Sequence, residues 1–259
     1  MKHKEQQPEQ PTEAPQSYIE VIDFHKSFGE KKVHDGVSFY VRKGECLGLI
    51  GGSGTGKSVL LRTLVGLEKP DQGKVMVDGI DIGPMNERQL IDIRKKVAYA
   101  FQGGALFDSM TVYENLAYPL REHFQLSEKE ISDQILSQLE EFGLDSGTHR
   151  LFPGSLSGGM QKRVGLARAM MMHPEVVLYD EPTAGLDPYN TKKIQESILK
   201  LKAKGVTSIL VTHDMPTVYA VCDKVALLQN GRISEQYTID KLKQEPSGAM
   251  TEFINGESA

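Results

Sequence analysis

Cysteine is almost missing from this chain of 259 residues: Cys46 and Cys222 are the only two, far apart and in apolar settings. That excludes a disulfide scaffold and fits two thiols in a reducing compartment, the cytosol by default. Long apolar runs are missing too, since nothing approaches the roughly 18 to 20 residues of a membrane span. The opening MKHKEQQPEQPTEAPQS has no hydrophobic region for secretion. The expectation is a chain that neither crosses a membrane nor leaves the cell by itself. Basic excess is absent as well: 30 Lys and Arg face 35 Asp and Glu, a net charge of −5 with the cations scattered. Such a field does not favour nucleic acid, so any phosphate chemistry must be local. No internal repeat is found.

What is present suffices for a sizeable hydrophobic core in one large domain, or one domain with an inserted lobe. Residues 1–17, rich in Gln, Glu and Pro, cannot offset the entropy of ordering and are expected to form a mobile tail. The stretches SYIEVIDFHKSF and VSFYVRKGECLGLIG alternate and then run apolar as strands do, and KVMVDGIDI adds another after a DQG turn. From about Glu87 to Phe142 the pattern turns helical, with Ile131, Ile135, Leu139 and Phe142 on one face. EVVLYD and TSILVTH then read as parallel strands joined by crossover helices.

GGSGTGKS, Gly51 to Ser58, is a P-loop pattern in its proper place, after the strand ECLGLI and before the helix KSVLLRTLVGL. Gly51, Gly52, Gly54 and Gly56, with Ser53 and Thr55 between them, let backbone N–H groups converge on phosphate. Lys57 is placed to reach the β and γ phosphates, and Ser58 to put its hydroxyl on Mg²⁺. Downstream, VVLYDEP sets Asp180 and Glu181 at the carboxyl end of a buried strand, where ligands sit in open parallel sheets. Asp180 suits the Mg²⁺ shell and Glu181 suits polarising the attacking water. In LSGGMQKRVGLARAMM, Ser157 caps a helix whose first residues are Gly158 and Gly159, a second anion site, while Met160, Val164, Ala167 and Met171 line its buried face.

GGSGTGKS, LSGGMQKR, VVLYDEP, AGLD and VTHD stand in the order and spacing of ABC-family ATPase domains, and the chain resembles them from about Ile19 to its end. The resemblance implies an α/β P-loop NTPase cassette: a RecA-like parallel-sheet core, an antiparallel β subdomain and an α-helical subdomain at about 103–165, all within 18–246, followed by a tail at 247–259. It implies ATP and Mg²⁺ as ligands and a head-to-tail pair of copies, with each nucleotide held between the P-loop of one and the signature motif of the other. Ser157, Gly158, Gly159 and Asp187 then act in trans. His213 matches the switch histidine that contacts the γ-phosphate, and Gln102 in YAFQGG matches the glutamine whose amide oxygen reaches Mg²⁺ or the water. Phe28 takes the adenine-stacking position, where Tyr is commoner; stacking survives loss of the hydroxyl. The signature ends in Met160 where most cassettes have Gln, and AGLD replaces the frequent SALD; neither change removes a phosphate donor.

Met160 and FQGGALFDSMTVYENLAYPLREH resemble a narrower group, the ATPase subunits of bacterial MCE-type lipid transporters such as the Mla phospholipid system, as does the ending MTEFINGES. That resemblance implies a peripheral subunit on the cytoplasmic face of the inner membrane, docked on an integral permease with an MCE-domain lipid-binding partner. Some relatives add a small regulatory subunit on the helical lobe. Ala105, Leu106, Phe107, Met110, Val112, Leu116 and Tyr118 are too apolar for a solvated surface, so they pack the lobe or line a groove that receives a short permease helix. Phe253 and Ile254 either dock on the opposite cassette or close this domain's own surface. Two other readings compete: the ATPase of another ABC importer or exporter, and a soluble ABC protein acting on ribosomes or DNA. The latter is expected to carry two cassettes, a long coiled coil or a basic arm. Cargo is recognised by other subunits, so its identity and direction are not written in a cassette.

Overall fold

The computed structural model describes residues 17–244 and 248–256. Most of the expected N-terminal tail lies outside them, and Ser17 already belongs to the first strand. Four strands form an antiparallel sheet in the order β2-β1-β4-β5: β1 Ser17–Phe28, β2 Lys31–Arg42, β4 Gln72–Val77 and β5 Ile80–Asp81. β3 Cys46–Ile50, β6 Val97–Ala100, β7 Val176–Asp180, β8 Thr207–Val211, β9 Lys224–Gln229 and β10 Arg232–Thr238 make a second sheet ordered β10-β9-β3-β8-β7-β6. All neighbours in it are parallel except β10, which returns antiparallel on β9.

Strands buried on both faces read as continuous apolar runs, and their period of two splits them between two cores. Leu47, Leu49, Leu178, Ile209 and Val211 pack with Phe24, Val37 and Leu61 under the antiparallel sheet. Cys46, Ile50, Val177, Tyr179 and Leu210 face the helices on the other side.

Around the central sheet lie α1 Lys57–Thr63, α2 Glu87–Lys96, α5 Gly158–Met170, α6 Pro188–Ala203 and α7 Met215–Val221. The lobe consists of α3 Val112–His123, α4 Glu128–Glu141 and two short 3₁₀ turns, Ser146–Arg150 and Pro153–Ser155. Its helices begin where the sequence supplies reciprocal caps, Thr111 with Glu114 and Ser127 with Glu130, each pair satisfying two N–H groups that the helix cannot. The helical stretch expected from Glu87 is interrupted by β6, which pairs with β7 and joins the central sheet. Four residues are too few for periodicity to reveal a strand between two helices.

The C-terminal segment departs from a tail. α8 Ile239–Gln244 precedes α9 Gly248–Asn255, whose Met250 is fully buried. The Glu235 carboxylate accepts the N–H groups of Ala249 at 2.9 Å and Met250 at 3.1 Å, fixing the start of α9 on β10. Phe253 and Ile254 pack half-buried against the chain's own core.

Candidate active site

The P-loop leaves β3 at Ile50 and enters α1 at Lys57. Gly51, at φ 155°, lies so close to the Leu228 carbonyl that a methyl there would overlap it, and Gly54 and Gly56 have φ 77° and 95°. Side chains are excluded by those angles and contacts, which is why the loop needs glycine there. Thr55 Oγ1 braces the loop by donating to the Gly52 carbonyl at 2.9 Å.

Phe28, Gly51, Gly52, Ser53, Gly54, Gly56, Lys57, Ser58, Gln102, Glu181 and His213 line one cleft of about 920 Å³. Phe28, at the end of β1, is 45% exposed, with the Lys26 ammonium 5.3 Å from its ring centre. An exposed aromatic at the cleft mouth offers a face for a planar base. Lys57 Nζ donates to the Gly51 and Gly52 carbonyls, both at 2.8 Å. Burial pulls its pKa down, against the opposing pull of Glu181 and Asp180.

Asp180 ends β7 beneath the P-loop, accepting Ser58 Oγ at 2.9 Å on one oxygen and Tyr99 Oη at 2.7 Å on the other. Burial and that bond push the Tyr99 phenol above its ordinary range, so it stays a donor. Glu181 turns away with φ 50°, unusual for a residue with a side chain, while its N–H bonds the Val211 carbonyl at 2.9 Å. This left-handed step aims the carboxylate into the cleft. His213 Nδ1 donates to Glu181 Oε1 at 3.1 Å and Thr212 Oγ1 to Oε2 at 3.3 Å, so both oxygens are oriented. Glu181 is 17% exposed and His213 71%, which leaves the imidazole free to reach beyond the carboxylate.

Ser157, Gly158, Gly159 and Asp187 are not among the residues that line this cleft. They form a second unit. Ser157 Oγ caps α5 through the Met160 N–H at 3.3 Å, and Asp187 caps α6 through the Asn190 N–H at 2.9 Å. Asn190 Nδ2 also donates to Asp187, and its carboxamide sits against Gly159, where no methyl fits. Gly159→Ala is therefore expected to push the start of α5 off α6. Steady-state ATPase should fall about a hundredfold, the scale of losing a transition-state phosphate donor. Nucleotide affinity of the single chain should not change, because the residue lies outside the cleft; calorimetry alongside the rate assay checks both.

The geometry adds residues that the sequence reading passed over. Tyr99 and Thr212 orient the two acids, and Lys162 Nζ ties α5 to the loop after Glu181 through the Ala184 carbonyl at 2.5 Å. Phe253 and Gly256 close one wall of the cleft. Tyr99 had one signal, a hydroxyl alternating into VAYA three residues before Gln102; Phe253 had none, because only the tertiary placement of α9 brings it there. The apolar lobe stretch divides: Val112 and Leu116 are core, Leu106 and Met110 are half-buried, and Ala105, Phe107 and Tyr118 line a groove of about 510 Å³ with Tyr99, Phe101 and Arg168.

A glycine loop with its lysine, a carboxylate bonded to the loop's hydroxyl, and a second oriented carboxylate define a P-loop ATPase. Residues 34–184 match the family model described as ABC transporter, and the chain belongs to that family. It is 39% identical over 239 residues to the probable ribonucleotide transport ATP-binding protein mkl of Mycobacterium leprae, covering 92% of this chain and 69% of that one. It is 36% identical to the intermembrane phospholipid transport system ATP-binding protein MlaF of Haemophilus influenzae, covering 94% of this chain and 92% of that one. A dimeric ATP-binding cassette solved in a post-hydrolysis state with ADP and Pi superposes with a TM-score of 0.80 at 29% identity, over 85% of this chain and 98% of that one. The chain is the ATP-hydrolysing subunit of an ABC transporter.

Proposed function

We propose that this subunit powers phospholipid movement between bacterial membranes, as two copies closed head to tail over two MgATP on a membrane permease with an MCE-domain partner. One observation supports the paired site above others: the cleft holds Lys57, Glu181 and His213, while Ser157, Gly158 and Gly159 stand on a separate unit, so a second copy is needed to bring both kinds of phosphate donor to one nucleotide.

Ser58 Oγ, an Asp180 oxygen and the Gln102 amide oxygen are a hard donor set that fits Mg²⁺. When bound, Mg²⁺ would neutralise charge on those oxygens. Phe28 stacks on the base, the P-loop N–H groups and Lys57 hold the phosphates, and Glu181 accepts a proton from water as it attacks the γ-phosphorus in line. His213 keeps Glu181 aimed and contacts the γ-phosphate. The bond to the bridging oxygen breaks, ADP and phosphate leave, and the pair opens.

The groove of Ala105, Phe107 and Tyr118 is also lined by Phe101, the chain neighbour of Gln102, which itself lines the glycine-loop cleft, so a short permease helix seated there would feel the glutamine move when nucleotide binds. No helix among the described residues is long and apolar enough to cross a membrane. In this reading the chain sits on the cytoplasmic face, held by such a partner. For cargo, MlaF of Haemophilus influenzae is matched almost end to end. The name of the mycobacterial relative points instead to ribonucleotides. Tagging the chain, solubilising host membranes gently and identifying what co-purifies by mass spectrometry decides between them. A multi-span permease together with an MCE-domain protein is the expected recovery, and a different permease without an MCE protein overturns the lipid assignment.

A further inference from the structure

His34 sits on β2, fully buried, between the antiparallel sheet and the P-loop. Its Nε2 lies 3.2 Å from the Gly56 carbonyl, and its ring is 5.3 Å from that of Phe24. A carbonyl only accepts, so Nε2 carries the proton. Nδ1 is buried without a hydrogen-bond partner, as a bare nitrogen in a single neutral tautomer would be. Burial draws the pKa down to about 4, so the ring stays neutral at working pH.

Gly56 is the hinge at which the P-loop becomes α1. It is left-handed, no side chain caps the helix there, and its carbonyl also receives the Val59 and Leu60 N–H groups at 2.9 and 3.2 Å. A methyl on Gly56 would meet Val33 at 2.5 Å and His34 at 2.6 Å, so β2 and the loop are in direct contact. The same strand begins at Lys31, opposite Phe28, and pairs His34 with Lys26. This hydrogen bond thus crosses from the sheet that carries the base-facing aromatic to the loop that faces phosphate.

We propose that His34 is a positioning residue for nucleotide binding: through Nε2–H it ties the sheet bearing Phe28 to the Gly56 carbonyl and so sets the distance between the base and phosphate halves of the cleft. This inference rests on the cleft being the nucleotide site. His34→Phe keeps ring and volume but removes the donor, whereas His34→Gln keeps an N–H near the Nε2 position.

The experiment measures MgATP affinity, KM, kcat and melting temperature for the parent, both His34 variants and Lys57→Ala, and reads the parent's His34 tautomer by ¹⁵N NMR of labelled histidine. The Phe variant should fold, lose roughly two- to tenfold in affinity, the worth of one neutral hydrogen bond, and keep kcat within about twofold. The Gln variant should restore affinity, and the parent spectrum should show a neutral ring protonated at Nε2. Parental affinity in the Phe variant, equal loss in both His34 variants, or a proton on Nδ1 overturns the proposal, and the last outcome overturns it even where a variant fails to fold. Equal nucleotide binding by the parent and Lys57→Ala overturns the cleft reading itself and this inference with it.

Discussion

Glu181→Gln is expected to bind MgATP at least as tightly as the parent and to hydrolyse it roughly 10²- to 10⁴-fold more slowly, the range that a positioned general base contributes. The substitution keeps size and shape, and a carboxamide oxygen still accepts from Thr212 or His213, which now bond the two carboxylate oxygens at 3.3 and 3.1 Å. What disappears is basicity: an amide does not take a proton from water. Loss of the negative charge also removes repulsion toward the γ-phosphate, so affinity should hold or rise. Steady-state ATPase with calorimetric binding separates the two effects. Turnover within tenfold of the parent, in preparations free of contaminating ATPase, would move the base elsewhere. Asp180 is then the alternative carboxylate, although its oxygens are already engaged by Ser58 and Tyr99.

Lys57→Ala is expected to act on binding itself. Its ammonium reaches two loop carbonyls at 2.8 Å, and among the described residues Lys57 is one of the few buried cations. Phosphate oxygens would meet it in a poorly solvated cleft, where charge-assisted bonds are strong. A loss of about 1.5 to 3 kcal/mol corresponds to a Kd some 10- to 150-fold higher. Arginine should not rescue it, because the planar guanidinium is wider and cannot turn its donors into a closed loop as an ammonium does. The melting temperature of the nucleotide-free variant should move little: the loop loses two hydrogen bonds, but a buried charge is removed with them. Comparing melting curves with and without MgATP shows where the loss falls, since a binding variant gives up only the ligand-dependent increment.

The residues of the glycine-loop cleft were legible in the sequence because their demands are local. Four glycines, a lysine and a serine between a strand and a helix leave the backbone little choice, and Asp180 with Glu181 follow directly from an apolar strand running out at its carboxyl end. Tyr99 and Asn190 depend on something else: which strands lie side by side and how two helix starts meet. No spacing within one segment reports that β6 abuts β7, or that Asn190 on α6 packs on Gly159 of α5. β6 itself hid between helices because four residues carry too little pattern. The C-terminal helix misled for the opposite reason, since a short polar ending reads as a tail until Glu235, fifteen residues before Met250, is seen to receive its first N–H groups. The apolar lobe stretch was legible as a group yet not in its division, because Leu116 and Tyr118 differ only in which side of α3 faces the core.

The central claim is that each nucleotide is shared by two copies, and mixing two defective variants tests it most directly. Lys57→Ala keeps its signature and loses its P-loop; Gly159→Ala keeps its P-loop and loses its signature. In a mixed pair, the P-loop of the second meets the intact Ser157, Gly158 and Gly159 of the first, so one complete site forms. ATPase activity should rise well above the sum of the separate variants, greatest near equal amounts of the two. Activity that never exceeds that sum, while sedimentation shows mixed pairs forming with MgATP, would contradict a site built in trans.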